Sequence, residues 1–207
     1  MRAWIGCLAS YNNGVLFGQW FDVSTDADAN QDNINDVLRR SPYPNVTRTD
    51  DAGKEYRTAE EYMVSDYEAP KALADLLGEY PGAASLADAA RLEDAIAERY
   101  SDPDERDAVL GVMLDGAGSR DLAGFADDAD DWLSDRVAGE GDNLADWCSE
   151  FLTDTDFFGS AFRDKDSDQA ATIERYFDFE SYARDLALGG DISTVRVGGK
   201  VLVFWNR

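Results

Sequence analysis

Ala3-Trp4-Ile5-Gly6-Cys7-Leu8-Ala9 and Val15-Leu16-Phe17-Gly18-Gln19-Trp20-Phe21-Asp22-Val23 open the chain on either side of Asn12-Asn13-Gly14. Both flanking runs are rich in β-branched and aromatic residues. Asn-Gly is strong hairpin chemistry, because both central residues of a type I′ turn need positive φ. The stretch predicts two antiparallel strands, at residues 3–9 and 15–23. A short helix follows at 28–38, ended by Ser41-Pro42-Tyr43-Pro44. A polar stretch then runs to Thr58, and residues 62–67 read as a third strand. Together these make a small N-terminal antiparallel sheet with one helix.

Beyond Pro70 the period changes from two to 3.6. Leu73, Leu76, Leu77 and Tyr80 share one helical face; Leu92, Ile96 and Tyr100 share the next, and Val109, Val112 and Met113 a third. Ser85 with Asp88, and Ser101 with Asp104, have the S-x-x-D spacing of a capping box. Asp115-Gly116-Ala117-Gly118 breaks this central helical bundle. The last third mixes helices at 124–137, 144–152 and 179–188 with strands at 192–197 and 201–205, which close as a hairpin around Gly198-Gly199. The fold class is therefore α+β, expected as three segments: 1–83 with the sheet and helix, 84–124 helical, and 125–207 a mixed α/β domain with the closing hairpin.

The charge limits what such a chain does. It has 43 Asp and Glu against 19 Lys and Arg in 207 residues, a formal net charge of −24. Solubility of a small domain needs only about 2–8 charges of one sign, and the excess destabilises the compact state by self-repulsion. A polyanion of this kind avoids nucleic acid and anionic membranes and is drawn to cationic surfaces. Histidine is absent, which removes the usual base near neutral pH, His-based triads and His-ligated zinc. Cys7 and Cys148 form no CxxC pair, and no apolar run approaches the roughly 18 residues of a membrane span. These features predict a soluble cytoplasmic protein with reduced thiols that is not an enzyme and carries no cofactor or metal.

The acids are patterned. On the helix predicted at 144–152, Leu144, Trp147, Cys148, Phe151 and Leu152 form a buried stripe, while Asp142, Asp146, Glu150 and Asp154 recur at every fourth residue. At about 1.5 Å rise per residue this places a carboxylate every ~6 Å along one line. No Lys stands at i+4 to pair with it, and like charges at that spacing cost a few tenths of a kcal/mol each. On the preceding helix Asp127, Asp128, Asp130, Asp131 and Asp135 fall opposite Phe125, Ala129, Trp132, Leu133 and Val137. Duplex DNA carries one negative charge per ~1.7 Å of axis, and rows of unpaired carboxylates on a rigid scaffold imitate that. Ordinary solvated helix faces and adaptation to high salt remain alternative accounts of the same rows.

Other constellations are weaker. Asp164, Asp166 and Asp168 resemble the start of a calcium loop, but Gln169 stands where the loop needs Gly and Arg175 where it needs the bidentate Glu, with Glu174 one residue early. Asp26, Asp28 and Asn30 fail in the same way, with Gln31 and Val37 at those two positions. Paired carboxylates of the glycosidase type are too numerous here to be specific. Trp4, Phe17, Trp20, Phe21, Trp132, Trp147 and Trp205 lie within apolar stripes or strands and read as core.

Residues 3–14 with Gly18-Gln19-Trp20-Phe21 resemble the opening of the ArdA antirestriction family, a strand, a Y-N-x-G turn and a G-x-W strand. Glu60-Glu61-Tyr62 with Asp66-Tyr67-Glu68 is similar to its E-E-Y…D-Y-E segment. Tyr176-Phe177-Asp178-Phe179-Glu180-Ser181-Tyr182-Ala183-Arg184-Asp185-Leu186 is similar to its Y-I-D-x-x-x-Y-x-R-D-L run, and residues 144–150 match its acidic stretch loosely, departing at Trp147 and Cys148. The chain is somewhat longer than the family pattern, with the extra residues in 45–58 and 78–84. The resemblance implies an elongated three-domain DNA mimic from a mobile genetic element. It implies a homodimer contacting through its C-terminal domain, and inhibition of type I restriction–modification enzymes, at the methyltransferase core, by competition with DNA. The nine carboxylates named above are then the partner-binding residues. A mimic aimed at another DNA-binding machine, and a halophilic or metal-binding acidic protein, are the alternatives.

Overall fold

The computed structural model describes residues 1–161 and 167–206. Strand β1 (Arg2–Cys7) is followed by a five-residue helix, α1 (Leu8–Asn12), and by β2 (Gly18–Asp22), which pairs antiparallel with β1. The two expected strands are present, but the tight turn between them is not. The chain leaves β1 at Cys7 because local polar groups offer the backbone an alternative: the Cys7 sulfur accepts from the Ser10 N–H at 3.4 Å, and the Ser10 and Ser41 hydroxyls bond at 2.9 Å. Gly14, at φ 76°, then turns the chain back. Gly18 has a separate reason to be glycine, since a Cβ there would lie 2.4 Å from the Ile5 carbonyl oxygen and 2.5 Å from the Trp4 ring.

Helix α2 (Ala27–Arg40) is a turn longer than its apolar spacing suggests, and buries Ile34, Val37 and Leu38. The polar stretch that follows folds into a separate two-stranded sheet, β3 (Val46–Thr49) with β4 (Glu55–Thr58). Its turn is organised by Asp50, whose carboxylate accepts from Ala52 N–H at 3.1 Å and Lys54 N–H at 2.8 Å, with Gly53 at φ 78°. Strand β5 (Tyr62–Glu68) completes the first sheet in the order β2-β1-β5.

Helices α3 (Lys71–Leu77), α4 (Ala83–Arg99) and α5 (Pro103–Met113), a single 3-10 turn at Ser119–Asp121, and α6 (Leu122–Asp127) form the helical layer. Both capping boxes are displaced. Gly82 caps α4, so Ser85 lies inside the helix. Asp102, not Ser101, caps α5, accepting from Asp104 N–H at 2.8 Å and Glu105 N–H at 3.2 Å. Pro103 fixes that choice, because proline is favoured at the first helical position, where no N–H is needed. The phenols of β5 hold the α3–α4 connection: Tyr62 donates to the Pro81 carbonyl and Tyr67 to the Gly78 carbonyl at 2.7 Å. Burial pushes the Tyr67 phenol above its ordinary range, with Tyr62 adding to the effect, and burial alone raises Tyr62. Met1–Ala129 is one compact unit, in which α2 packs against α4 and the Asn30 amide reaches the Ala83 carbonyl at 3.4 Å.

The second unit, Asp130–Arg207, takes in almost all of α7 (Ala129–Arg136), then β6 (Val137–Gly141), α8 (Leu144–Asp154), α9 (Phe157–Ala161), α10 (Ser167–Tyr176), α11 (Phe179–Gly189), β7 (Ile192–Val197) and β8 (Lys200–Trp205). The sheet order is β6-β8-β7, and the β7–β8 turn has Gly198 and Gly199 at φ 57° and 86°, as the closing hairpin requires. The single helix expected at 124–137 is two helices, interrupted at Asp128 (φ −105°, ψ 13°), and Val137 belongs to a strand. Four aspartates in five positions depress helix propensity there, and β-branched Val137 pairs with Phe204 instead.

Trp147 is the centre of this unit's core, with Cys148, Leu152, Phe158, Ala183, Ile192, Val201 and Val203. Its ring stacks on Phe151 at 5.5 Å and meets Trp205 edge-on at 6.0 Å, and its indole N–H donates to the Ala138 carbonyl at 3.2 Å. Phe177 meets Phe158 and Phe179, each at 5.1 Å, and Asp178 between them caps α11 through the Ser181 N–H at 2.9 Å. Among the described residues no helix is long and apolar enough to cross a membrane. Trp147→Ala is expected to destabilise the second unit by about 3–5 kcal/mol, the range for deleting a fully buried aromatic, read as a lower urea midpoint followed by tryptophan fluorescence and circular dichroism.

Candidate partner-binding surface

The α8 scaffold presents its acids as a consequence of what it buries. Trp147, Cys148 and Leu152 face the core, so Asp146, Glu150 and Asp154, on the opposite side, are exposed. Burial pushes the Cys148 thiol up, which fits an inert packing group beneath that face. The helix begins one residue after Asn143, whose side-chain oxygen accepts from Ala145 N–H and Asp146 N–H, both at 3.0 Å. Asp142 therefore lies outside the helix, and the expected four-residue row is a helical row of three plus an exposed acid ahead of the cap.

All nine sequence-predicted carboxylates are exposed. Asp127 and Asp128 belong to the first unit, and the other seven to the second. Because α6 stops at Asp127, the five aspartates of 127–135 do not share one helical arc. Asp127 accepts from Arg91 at 2.7 Å, and Arg91 also holds Asp88 at 2.7 Å. Hydrogen bonds to Asp88 and then Asp127 raise the guanidinium above its ordinary value. Among the described residues the other eight have no ion-pair partner. Residues 127–156 hold eleven Asp and Glu with Arg136 as the one basic residue, and of these Glu140 pairs with Lys200 at 2.8 Å.

The structure adds acids that the sequence reading passed over. On α2, Asp28, Asp32 and Asp36 are exposed at the same every-fourth spacing, with only Asp36 paired, to Arg40 at 2.5 Å. Asp94 and Glu98 repeat it on α4, and Glu180 is exposed on α11, beside α8. The i+4 spacing would have found the first two groups. Asp156, exposed at φ 49°, follows no helical period, and only the fold locates it.

The two calcium-like stretches have other roles. Asp26 caps α2 through Asp28 N–H at 2.9 Å, and buried Asn30 bonds Ser24 N–H and the Ser24 carbonyl, both at 2.8 Å. Asp164 and Asp166 lie outside the described residues. Asp168, Gln169, Glu174 and Arg175 are on α10, so that part is a helix where a binding loop would need turns. Among the described residues no three or more His, Cys, Asp or Glu side chains are grouped to hold a metal ion.

Residues 3–200 of the chain match the profile of a family described as antirestriction protein (ArdA). The chain belongs to that family. Its function class is accordingly antirestriction, action against restriction–modification enzymes. No curated protein matches the chain. Within this ArdA family member, the blocks that carried the resemblance do structural work: the G-x-W strand is β2, Tyr62 and Tyr67 tie down residues 78–81, and the 176–186 run caps and packs α11. The carboxylates are placed by these blocks and lie largely outside them.

The cap assignment separates Asn143 from its acidic neighbour. Asn143→Ala is expected to cost about 1 kcal/mol, as loss of an N-cap does, whereas Asp142→Asn should stay within about 0.5 kcal/mol of the parent. Thermal melts of the two variants check this.

Proposed function

We propose that this ArdA family member is an inhibitor and not an enzyme, and that it acts by imitating duplex DNA. Its target in this reading is a type I restriction–modification enzyme, whose DNA-binding groove at the methyltransferase core it occupies in place of DNA. The observation that carries the proposal is the set of eight exposed carboxylates between residues 128 and 154 that have no ion-pair partner among the described residues, backed by the family's function. DNA-binding surfaces gain much of their free energy when basic residues displace counterions from phosphates. A protein anion with fixed carboxylates recovers part of that gain, and its field speeds encounter. It needs no cofactor for this, since nothing is bonded or cleaved.

The assembly in this reading is a two-fold homodimer, the commonest closed oligomer, with its contact in the second unit. That unit leaves Phe157, Ile173, Tyr176 and Leu188 exposed, which is apolar surface a second copy would cover. Sedimentation at micromolar concentration should give a dimer, and Tyr176→Glu with Leu188→Glu should give a folded monomer. A parent protein that sediments as a monomer across that range refutes the dimer.

Inhibition should be stoichiometric and competitive with DNA, and spread over many acids, because an exposed ion pair contributes below about 1 kcal/mol. Asp146→Asn alone should leave inhibition nearly intact. Neutralising Asp142, Asp146, Glu150 and Asp154 together should weaken it progressively, most clearly at low salt, while the melting temperature holds or rises as like-charge repulsion is relieved. One substitution abolishing all inhibition while the other three do nothing would mark a discrete site and defeat the mimic.

A further inference from the structure

One part of the surface has the wrong sign for a DNA mimic. Arg39, Arg40, Arg48, Lys54 and Arg57 fall within nineteen residues that contain only three acids, Asp50, Asp51 and Glu55, in a chain of net charge −24. The fold gathers them on and beside the β3–β4 hairpin. Arg48 stands opposite Tyr56 in the strand register, so the two share a face. Arg39, from the last turn of α2, lies over the Tyr56 ring at 5.1 Å. That face thus carries two guanidinium groups and one aromatic ring, with Arg39 over the ring. Arg57, on the other face, donates to the Pro44 carbonyl at 2.6 Å. Arg48 and Lys54 are exposed, and among the described residues neither has an acidic partner. Asp50, at the start of the turn, is taken up by the turn's own backbone.

Unpaired cations are repelled from a cationic groove, as like charges facing each other across an interface are. If the acidic rows occupy the groove, the hairpin must lie outside it. We propose that the β3–β4 hairpin is the orienting contact of this inhibitor. Its Arg39–Tyr56–Arg48 face and Lys54 engage carboxylates on the restriction–modification enzyme's surface beside the DNA groove. The inference rests on the DNA-mimic reading. It adds that the inhibitor carries both signs of charge: the groove repels the basic hairpin, which needs acidic ground of its own on the target. Guanidinium groups suit this role because they match carboxylates bidentately and stack on an aromatic ring.

The test compares two charge changes against one purified type I complex that the parent protein inhibits. Arg48→Glu with Lys54→Glu makes the inhibitor more negative by four charges. A mimic working through its summed charge alone would then bind more tightly. The orienting hairpin predicts the opposite, an affinity loss of about tenfold at low salt, as two reversed surface contacts would give. Arg48→Ala with Lys54→Ala should lie between, and all variants should melt with the parent. Carbodiimide cross-linking of the parent complex should join Lys54 to a carboxylate of the target. Unchanged or tighter binding of the reversed variant, or a Lys54 cross-link only to a second copy of this chain, overturns the proposal. The Asp142, Asp146, Glu150 and Asp154 neutralised variant is the control. If it weakens binding while the reversed hairpin does not, the hairpin inference alone fails. If it leaves binding intact, the mimic reading fails and the hairpin inference falls with it.

Discussion

Like charges without counter-ions repel, and a chain of net charge −24 folds only if apolar packing outweighs that repulsion. In the second unit the packing that does so converges on Trp147. Its ring meets Phe151 and Trp205, its N–H reaches Ala138, and Gly139, at φ 133°, leaves room for it: a Cβ there would stand 3.2 Å from the indole. The same helix exposes Asp146, Glu150 and Asp154. Core and acidic face are two sides of one helical period, so the acids cannot turn inward without expelling the tryptophan. This fixes the backbone positions from which the three carboxylates project.

Legibility in the sequence followed the strength of the periodic signal. Strands β5, β7 and β8 and helices α8 and α11 are close to where alternation and 3.6-residue spacing put them. Misreadings came where local polar chemistry outweighed pattern. Asn12-Asn13-Gly14 looked like a tight turn, but the Cys7 sulfur and Ser10 started a helical turn ahead of it. Val46–Thr49 and Glu55–Thr58 are too polar to stand out as strands, and only pairing with each other makes them so. The break at Asp128 was hidden because a helical wheel records angle and ignores the poor propensity of consecutive aspartates. Exposure of Asp146, Glu150 and Asp154 was readable from their opposition to Trp147, Cys148 and Leu152. Which of the nine acids are paired was not, since an ion pair such as Arg91 with Asp127, 36 residues apart, depends on tertiary structure.

Family membership and physical reading meet at different residues. The blocks most recognisable as ArdA are those that shape the backbone: a glycine that lets β2 approach β1, two phenols on β5, and a capped aromatic knot before α11. Charge is distributed over surfaces these blocks support.

Three fastenings within the scaffold are neutral. Tyr62 to Pro81, Tyr67 to Gly78 and Trp147 to Ala138 join uncharged donors to backbone carbonyls. Dissolved ions screen such bonds hardly at all, whereas they damp repulsion among surface carboxylates. Raising ionic strength therefore leaves the fastenings intact while relaxing the strain of the charged shell. Alkali reaches them instead: because both phenols titrate above their ordinary value when folded, their contribution is complete below about pH 10 and drains away only as pH climbs beyond it. The molecule is thus a frame held by bonds that salt leaves alone, wrapped in a shell of carboxylates whose mutual repulsion the ionic strength sets.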